Sequence, residues 1–393
     1  MAILKVDTIS GIGTEGPVFE GDIEFTSQNF LTLPKGDTTQ RGRGRGLIMG
    51  GTSPSVLSTI QYVEIQSLGN FVDFGDLAVQ TNMNSGSSSS TRGLSFGGKD
   101  TTTNVIQFVT IATTSNASDF GDLTLDRRYS TSASNNTRSV TMGGYKSTSP
   151  ATYSNIIDFV TIATTGDASD FGDITVARVN GGAVNSPTRG VMCSGQIDGS
   201  PYPRVNTIDF VTIASTGNAS DFGDVTQKRR GAASASSNTR GVIAGGTDQP
   251  TAQNVIDFIT IASEGNATDF GNLTQVKFGP AGAGSKTRAV FMAGGTDQPA
   301  AQNVIDFITI ASEGTAVDFG DSIGSFPYRP TGNVCNLTRG VLVAGGPAAP
   351  YVGNIVEFIT IATTGNGQDF GDLFQSTNDS GGASSDTHGG LAE

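Results

Sequence analysis

The tripeptide Asp-Phe-Gly occurs seven times in this chain of 393 residues, at nearly equal intervals. The steps between successive copies are 46, 51, 51, 48, 49 and 51 residues. A repeat of about 50 residues is typical of β-propellers and solenoids. Asp-Phe-Gly also binds magnesium in protein kinases, but a kinase needs that aspartate once, so sevenfold recurrence indicates a structural role. The aspartates are Asp73, Asp119, Asp170, Asp221, Asp269, Asp318 and Asp369.

Each repeat contains four segments that read as short β-strands, which we label a to d. Strand a is a run of small residues such as GAASASS (231–237), and strand b is a segment such as TRGVIAGG (239–246) that ends in two glycines. Strand c, such as NVIDFITIAS (254–263), is apolar on both faces and must therefore be covered on both. Strand d carries Asp-Phe-Gly, as in ATDFGNL (267–273). Four antiparallel strands repeated seven times predict an all-β, seven-bladed propeller.

The two ends of the repeat predict how the ring closes. The first strand b, RGLIMGG, is preceded by TTQRGRG, which is a poor strand. The C-terminal segment GGASSD (381–386) reads as a strand a that has no b, c or d of its own. We therefore expect this C-terminal strand to complete the first blade, which leaves no exposed sheet edge.

The glycine pair that closes strand b, the aromatic residue within strand c and the period of about 50 residues resemble kelch-type blades. The resemblance covers residues 41–393 and implies a kelch-like propeller. Kelch blades usually carry tryptophan in the outer strand, whereas this chain has no tryptophan and places the phenylalanine of Asp-Phe-Gly there. The sequence departs from the kelch pattern at that position.

The composition fits a turn-rich β-protein and argues against several functions. Charged residues make up 15% of the chain, against roughly 25% in ordinary soluble domains. The net charge of −13 argues against nucleic-acid binding through phosphate neutralisation. No apolar run approaches the ~20 residues of a membrane helix, and MAILKVDTIS lacks the pattern of a signal peptide. We expect a soluble protein made in a host cytoplasm.

The connections between strands indicate which face of the disc binds a ligand. The b–c and d–a connections share one face, and length and sequence vary most in the b–c loops. Binding residues concentrate on loops held by a rigid scaffold, although neutral drift of loops gives the same pattern. The candidate ligand residues are Tyr145, Tyr153, Tyr202 and Tyr351 in b–c loops and Arg127, Arg178, Arg229, Lys277 and Arg329 in d–a connections.

These five cations belong to a larger basic group in the d–a connections, which also includes Arg128, Lys228 and Arg230. Some of them are placed to surround the mouth of the central channel. The alternative is that their long aliphatic stems pack between blades. The sequence leaves both interpretations open.

Other recurring residues indicate structural roles. Cys193 and Cys335 read as buried thiols, and His388 occupies a slot that other repeats fill with arginine. The Gly-Asn-Ala-Ser/Thr-Asp turns suit calcium, but capping of turns by Asn and Asp is commoner. We interpret the arginines of the recurring Thr-Arg as inter-blade ion-pair partners of the seven aspartates. They are Arg45, Arg92, Arg138, Arg189, Arg240, Arg288 and Arg339.

The sequence offers little for catalysis. One histidine cannot supply a His-rich metal site, and its slot argues against a Ser-His-Asp triad. A glycosidase needs two unpaired carboxylates in a cleft, and every acidic motif here recurs in all blades. We expect no enzyme activity, no metal and no cofactor, with an extracellular carbohydrate-active enzyme as a distant alternative.

Residues 1–40 lie outside the repeat and form a predicted N-terminal β arm, followed by the propeller at 41–393. The motif LPKGDTTQR (33–41) after GDIEFTSQNF resembles N-terminal segments of tail-fibre and related structural proteins of tailed bacteriophages. The blade segment IDFVTIASTGNASDFGD (208–224) is similar to repeats in structural proteins of marine phages. The resemblance implies a virion protein whose arm binds other virion proteins, with a homotrimer as one arrangement.

These observations predict a tail-fibre or receptor-binding component that presents one propeller face to a host surface glycan or protein. Tyrosine suits such ligands because it offers both apolar area and a hydroxyl, and nearby cations suit acidic glycans in a salt-sensitive way. The arm should leave from the opposite face, because strand b of the first blade begins there. The alternative is a capsid- or tail-decorating protein that binds only virion proteins.

Overall fold

Seven four-stranded antiparallel sheets form the blades of a β-propeller in the computed structural model. It describes residues 44–98, 103–146, 152–296, 301–326, 332–343, 352–378 and 382–385. Each strand a contacts strand a of both neighbouring blades, so the seven sheets close into a ring around an axis. The predicted fold class is confirmed. The expected arm at 1–40 and His388 lie outside the described residues, and among those residues no helix could span a membrane.

Within each sheet the strands follow the order a, b, c, d from the axis to the rim. From blade 1 to blade 7, the a strands are Gly382–Ser385, Ser85–Ser88, Thr131–Ser134, Gly182–Asn185, Ala233–Ser236, Ala281–Gly284 and Gly332–Cys335. The b strands are Arg45–Met49, Arg92–Phe96, Arg138–Met142, Arg189–Gln196, Arg240–Ala244, Arg288–Met292 and Arg339–Val343.

The outer two strands follow the same numbering of blades. The c strands are Thr59–Glu64, Val105–Thr110, Ile156–Thr161, Arg204–Thr212, Val255–Thr260, Gln302–Thr309 and Gly353–Thr360. The d strands are Val72–Asp76, Ser118–Asp122, Ser169–Asp173, Ser220–Asp224, Thr268–Asn272, Val317–Phe326 and Gln368–Thr377. Two small hairpins extend b–c loops, Tyr145–Lys146 with Thr152–Tyr153 in blade 3 and Thr247–Asp248 with Thr251–Ala252 in blade 5.

The hydrophobic core is divided into layers between neighbouring blades. One layer joins Val242, Ile256 and Phe270 of blade 5 to Phe291 and Ile308 of blade 6. Strands b and c contribute to layers on both sides, which is why they are apolar on both faces. Small residues in strand a allow seven strands to converge at the axis.

Asp-Phe-Gly fastens each blade to the next. The aspartate is exposed and its Oδ1 accepts a hydrogen bond from the glycine N–H two residues later, at 2.9–3.2 Å in all seven blades. The phenylalanine is buried against the aromatic ring of strand c, with ring centroids 5.6–5.8 Å apart. The motif is therefore structural.

The glycine of the motif is required by close approach of the next blade. Gly172 has φ +140°, and a Cβ at this position would lie 2.5 Å from the carbonyl carbon of Gly217 in the c–d turn of blade 4. That turn donates Gly217 N–H to the Phe171 carbonyl at 2.7 Å and Ala219 N–H to the Asp173 carbonyl at 2.8 Å. The side chain of Asn218 accepts the N–H of Asp173 at 3.1 Å. The recurrent Asn and Asp of these turns thus bind backbone.

The glycine pair at the end of strand b makes the corresponding contact on the other face. Gly143 has φ +64°, and a Cβ there would lie 2.5 Å from the Arg178 carbonyl oxygen in the segment that leads into blade 4. The N–H of Gly144 donates to the same oxygen at 3.1 Å. Neighbouring blades are therefore hydrogen-bonded through the backbone at both faces of the disc.

The Thr-Arg arginines join blades, but the predicted pairing with the recurring aspartates is wrong. Each guanidinium carbon lies 4.3–4.7 Å above the aromatic ring of strand c in its own blade. Each guanidinium also donates to a backbone carbonyl of the next blade, as Arg92 does to Ile162 at 2.8 Å. The aspartates point outward at the rim, because their Oδ1 atoms cap their own turns.

The C-terminal strand closes the ring, as the sequence predicts. Gly382–Ser385 pairs with strand b of blade 1 over four residue pairs, from Gly46 with Ser385 to Met49 with Gly382. It also contacts both neighbouring blades, because Ser88 donates to the Ser385 carbonyl at 2.8 Å and Ser385 donates to the Cys335 carbonyl at 3.2 Å. The first and last described strands therefore lie in one sheet.

Deletion of residues 382–393 should lower the Tm by roughly 10 °C or more, because it opens blade 1 and exposes the edge of strand b. Deletion of 386–393 is the matched control, since it leaves all four residue pairs in place. Differential scanning calorimetry of the full chain and both truncations measures the effect. Equal Tm values for the two truncations would show that the strand does not stabilise the ring.

Candidate functional site

Four of the five basic candidates lie inside the blades, so their assignment to an exposed ligand face is wrong. The side chains of Arg127, Arg178, Arg229 and Lys277 are 0% exposed. Each forms an ion pair with an aspartate in strand c of the blade that it leads into. Arg329 and Tyr351 lie outside the described residues. The alternative interpretation, packing of the stems within the fold, is nearer to what the structure shows.

The pair in blade 3 shows how such a charge is buried. The guanidinium of Arg127 lies 2.7 Å from the Asp158 carboxylate and also donates to the carbonyls of Thr141 and Ile156, at 3.1 and 2.7 Å. The hydroxyl of Thr124 donates to the same carboxylate at 2.5 Å. A buried charge needs this many partners to offset its desolvation. The cation therefore links the d–a connection to strands b and c.

In blades 1 and 2, neutral residues stand at the positions of the buried cation and of the strand c aspartate. Thr377 and Thr81 replace the cation, and Gln61 and Gln107 replace the aspartate. All four are buried. The Gln107 amide both donates to and accepts from the backbone of Val79, at 2.9 and 2.8 Å. The site accepts either a paired cation and carboxylate or a neutral amide.

Blade 7 carries a carboxylate without a cation among the described residues. Glu357 is 0% exposed, and its Oε2 accepts the N–H of Ile323 at 2.7 Å. Burial raises the pKa of Glu357, an effect that this hydrogen bond and one from Ser322 oppose. Burial also lowers the pKa of Lys277, where Asp306 opposes the shift. Glu357 is thus held in a site that disfavours its ionised form.

The side chain of the residue after each buried cation turns away from that cation, because successive side chains of an extended segment alternate in direction. It is partly exposed at Arg128, Arg230 and Phe278 and buried at Val179. Arg128, Val179, Arg230 and Phe278 each form a backbone bridge with the residue that follows the glycine pair, or its equivalent, at the end of strand b in the blade that the segment leads into. For Arg128 and Tyr145 the two N–H to O distances are 3.0 and 2.8 Å. In the tandem pairs 127–128 and 229–230 the first arginine is structural and the second reaches the surface.

Three of the four tyrosine candidates come together in a cleft of about 650 Å³ on the b–c/d–a face. We call it the Tyr cleft. It spans the entries of blades 3, 4 and 5 and includes both surface arginines. It is lined by Arg128, Tyr129, Tyr145, Tyr153, Val179, Asn180, Gln196, Asp198, Tyr202, Arg230 and Gln249.

The hairpin of blade 3 fixes one wall of the Tyr cleft. Tyr145 and Tyr153 are a cross-strand pair with ring centroids 6.0 Å apart and planes at 71°. The guanidinium of Arg128 lies 5.0 Å from the Tyr145 ring centroid and 5.5 Å from that of Tyr129. Tyr202, on the b–c loop of blade 4, is 55% exposed. Cation–π contacts of this kind hold an arginine in one orientation.

Tyr129 adopts a left-handed backbone, with φ +55°. The equivalent position is left-handed in other blades too: blades 2 and 4 have Met83 and Asn180, with φ +54° and +55°, and blades 5 and 6 have Gly231 and Gly279, with φ +62° and +64°. A left-handed conformation costs a non-glycine residue of order 1 kcal/mol or more and is often found at functional sites. Glycine at position 129 would therefore give a more stable fold than tyrosine. The tyrosine that stands there lines the cleft with its ring.

Gln196 forms part of the cleft floor and is 5% exposed. One atom of its amide contacts the Tyr153 hydroxyl, and the other, Oε1, has no hydrogen-bond partner among the described residues. Burial raises the pKa of Tyr153, opposed by this contact. Buried polar atoms are nearly always paired in native proteins, so this amide offers one hydrogen bond to a bound molecule.

The axial channel differs in character from the Tyr cleft. It contains cavities of about 270 and 470 Å³ lined by the small residues of the a strands, and the larger one is also lined by entry-segment residues that include Met83 and Tyr129. Cys193 is fully buried in strand b of blade 4, as predicted, and burial raises its pKa to about 12. Cys335 is half-buried at the channel wall. In the described part of the chain, no three His, Cys, Asp or Glu side chains lie close enough to bind a metal ion.

Comparison with known proteins identifies the fold and no more. No protein-family model and no curated protein matches the sequence. Among 534 solved chains that match the structure is "Structure of YjhT", with a TM-score of 0.53 and 10% sequence identity. The match covers 66% of this chain and 91% of YjhT. At this identity the likeness supports the propeller architecture and assigns no role to any residue of the Tyr cleft.

Replacement of Glu357 by Gln should raise the Tm at pH 7. Because its pKa is raised in the folded state, the folded protein keeps a proton that the unfolded chain has released, so stability falls as pH rises from the ordinary value of 4.5 through the raised one. Thermal melts of both proteins from pH 4 to 8 should converge at the acid end. A Tm lowered at pH 7 would instead show that Glu357 is ionised and paired.

Replacement of Tyr129 by Gly should leave the free energy of unfolding unchanged or raise it, because about 1 kcal/mol of backbone strain is relieved. Tyr145→Gly is the control, since Tyr145 lies in the hairpin and loses its partner Tyr153. Chemical denaturation of both variants measures the difference. An equal loss of stability in the two variants would mean that Tyr129 is needed for the fold.

Proposed function

We propose that this chain is a bacteriophage virion protein, a kelch-like tail-fibre or receptor-binding component that holds a host surface glycan or protein in the Tyr cleft. The observation that carries the proposal is the joining of four tyrosines, two arginines and a buried amide in one cleft. The virion role rests on the resemblance of residues 33–41 and of the blade repeat to phage structural proteins.

The lining of the Tyr cleft suits recognition of a surface molecule. Tyrosine rings provide flat apolar area with a hydroxyl at the edge, and such rings bury area at low cost in side-chain entropy. Arg128 is held by two rings before any ligand arrives. Preorganised groups lower the entropic cost of binding.

The positions of Gly44 and Ser385, the two ends of the described part of the chain, support attachment from the far side. Gly44, the first described residue, accepts the N–H of Ile65 at 2.7 Å beside the c–d turn of blade 1. Ser385 pairs with Gly46 at the same end of the sheet. Both ends therefore lie on the a–b/c–d face, and the Tyr cleft lies on the b–c/d–a face. In this proposal the arm holds the propeller from one side while the other side binds.

We propose binding without chemical turnover. Among the described residues that line the Tyr cleft, Asp198 is the single carboxylate, and it is exposed. Hydrolysis of a glycosidic bond by the usual route uses two carboxyl groups about 5–10 Å apart. The second candidate, a decorating protein that binds only virion proteins, is favoured by exposed apolar side chains at the rim of blades 6, 7 and 1, namely Val317, Phe374 and Val72.

The test replaces the loops 145–154 and 196–205 with TDQPTAQ, the loop of blade 5 (247–253). Adsorption of virions to host cells should fall at least about tenfold, while virion assembly and the Tm remain near those of the parent. Leu68→Ser, at a 61% exposed site in the opposite c–d turn, is the control and should change neither.

Each outcome decides between the candidates. Failed assembly with correctly folded protein would make this face a virion interface, as the decorating role requires. Unchanged adsorption and assembly would remove the Tyr cleft from both functions. Release of reducing ends from host polysaccharide would show that the protein is an enzyme.

A further inference from the structure

We infer that the Tyr cleft recognises an anionic sugar residue, one that carries a carboxylate or sulfate group on a pyranose ring. The inference rests on the proposed binding function and specifies its ligand. It combines three features of the cleft: its cations, its aromatic surface and its buried amide.

The two arginines of the Tyr cleft stand at equivalent positions in the entry segments of blades 3 and 5, and a neutral residue stands at that position in blade 4. The residues that follow the buried cations in blades 3 to 6 are Arg128, Val179, Arg230 and Phe278, and Val179 is buried. Arginine stands in blades 3 and 5, and both side chains line the cleft across Val179. The chain as a whole has a net charge of −13, whereas the described residues that line this cleft include two arginines and one exposed aspartate.

Arginine in these positions suits an oxyanion because the planar guanidinium offers two parallel N–H donors that match carboxylate and sulfate geometry. The guanidinium of Arg128 is fixed over the rings of Tyr145 and Tyr129. Arg230 reaches the opposite side from the entry of blade 5, with its guanidinium 5.7 Å from the Phe278 ring centroid. An anion in the cleft would be reached from two blades.

The rest of the lining matches a sugar ring better than an isolated anion. The exposed face of Tyr202 and the ring of Tyr129 present apolar area of the kind that packs against pyranose C–H groups. The Gln196 amide, 5% exposed and with Oε1 unpaired among the described residues, can accept a hydrogen bond from a sugar hydroxyl. If its amide is turned, Nε2 donates to the sugar instead, and the Tyr153 hydroxyl donates to Oε1.

The experiment measures the Kd of the full chain for matched pairs of oligosaccharides. One pair is a galacturonan hexamer and its carboxyl-reduced product, and the other is a sulfated galactan hexamer and its desulfated product. At about 20 mM salt the anionic member of at least one pair should bind about tenfold or more tightly than its neutral partner. The ratio should shrink as salt is raised, because screening weakens the charge interaction. The two pairs distinguish carboxylate from sulfate.

Variants connect the preference to the cleft. Arg128→Gln and Arg230→Gln should each remove most of the anionic preference. Lys228→Gln is the control, because it removes one positive charge as the arginine variants do. Lys228 lies in the same d–a connection as Arg230, has a 58% exposed side chain and is not among the residues that line the cleft. Arg128→Lys keeps the charge but loses the planar fork, so it should recover only part of the preference. Circular dichroism and Tm values establish that each variant folds.

The outcomes separate this inference from the proposed function. Equal binding of charged and neutral members, or a preference that survives both arginine substitutions, overturns the inference while leaving the Tyr cleft as a binding site. Absence of binding to all four oligosaccharides, together with unchanged adsorption of the loop-replaced virions, overturns the proposed function and the inference together.

Discussion

The ring depends on the backbone contact between the c–d turn of one blade and strand d of the blade before it. This contact places two N–H groups of the turn on carbonyls of strand d and brings the two backbones so close that only glycine fits in Asp-Phe-Gly. Hydrogen bonds between main-chain groups do not require particular side chains, so the same joint can be repeated between blades of different sequence. The phenylalanine of the motif then fills the layer beneath the joint, and the aspartate caps its own turn.

A second set of constraints acts where the chain enters blades 2 to 6. The entry segment delivers a buried cation or threonine to strand c, and its backbone accepts the N–H of the glycine pair, or its equivalent, of the preceding blade. The entry segment is thereby fixed on both sides. The residue after the cation or threonine differs from blade to blade: asparagine, arginine, valine, arginine and phenylalanine stand at 378, 128, 179, 230 and 278. Surface chemistry varies there without disturbing the joint.

The fold could be predicted from the sequence because each strand and turn recurs, and recurrence distinguishes structural residues from unique ones. Ring closure was predictable for the same reason. The C-terminal segment reads as a strand a with no further strands of its own, and blade 1 lacks a strand a in the sequence before its strand b. The tyrosines at 145, 153 and 202 were predictable as a group because variable loops of one face lie together. Their meeting in a single cleft depends on the lengths of individual loops, which spacing alone does not determine.

The buried cations were misassigned because sequence pattern gives the position of a residue along the chain but not the direction of its side chain in an irregular connection. Arg127 and Arg128 are adjacent, yet the first pairs with Asp158 in the interior and the second lies over Tyr145. Comparison of the repeats would have revealed the difference. Repeats with arginine or lysine at 127, 178, 229 and 277 have aspartate at 158, 209, 257 and 306. Repeats with threonine at the first position, at 81 and 377, have glutamine at the second, at 107 and 61. Tyr129 and Gln196 left no such signal, because each occurs in one repeat.

Closure by the C-terminal strand also determines how the molecule responds to mechanical load. Strand b of blade 1 begins at Arg45 and is hydrogen-bonded along both edges, to strand c over five residue pairs and to the C-terminal strand over four. Consider a force applied at Gly44 along the axis of this strand. The hydrogen bonds of both edges then share the load in shear and must break together, whereas a force perpendicular to the strand would break them one at a time. The strand that completes the circle thus also anchors strand b of blade 1 along its second edge.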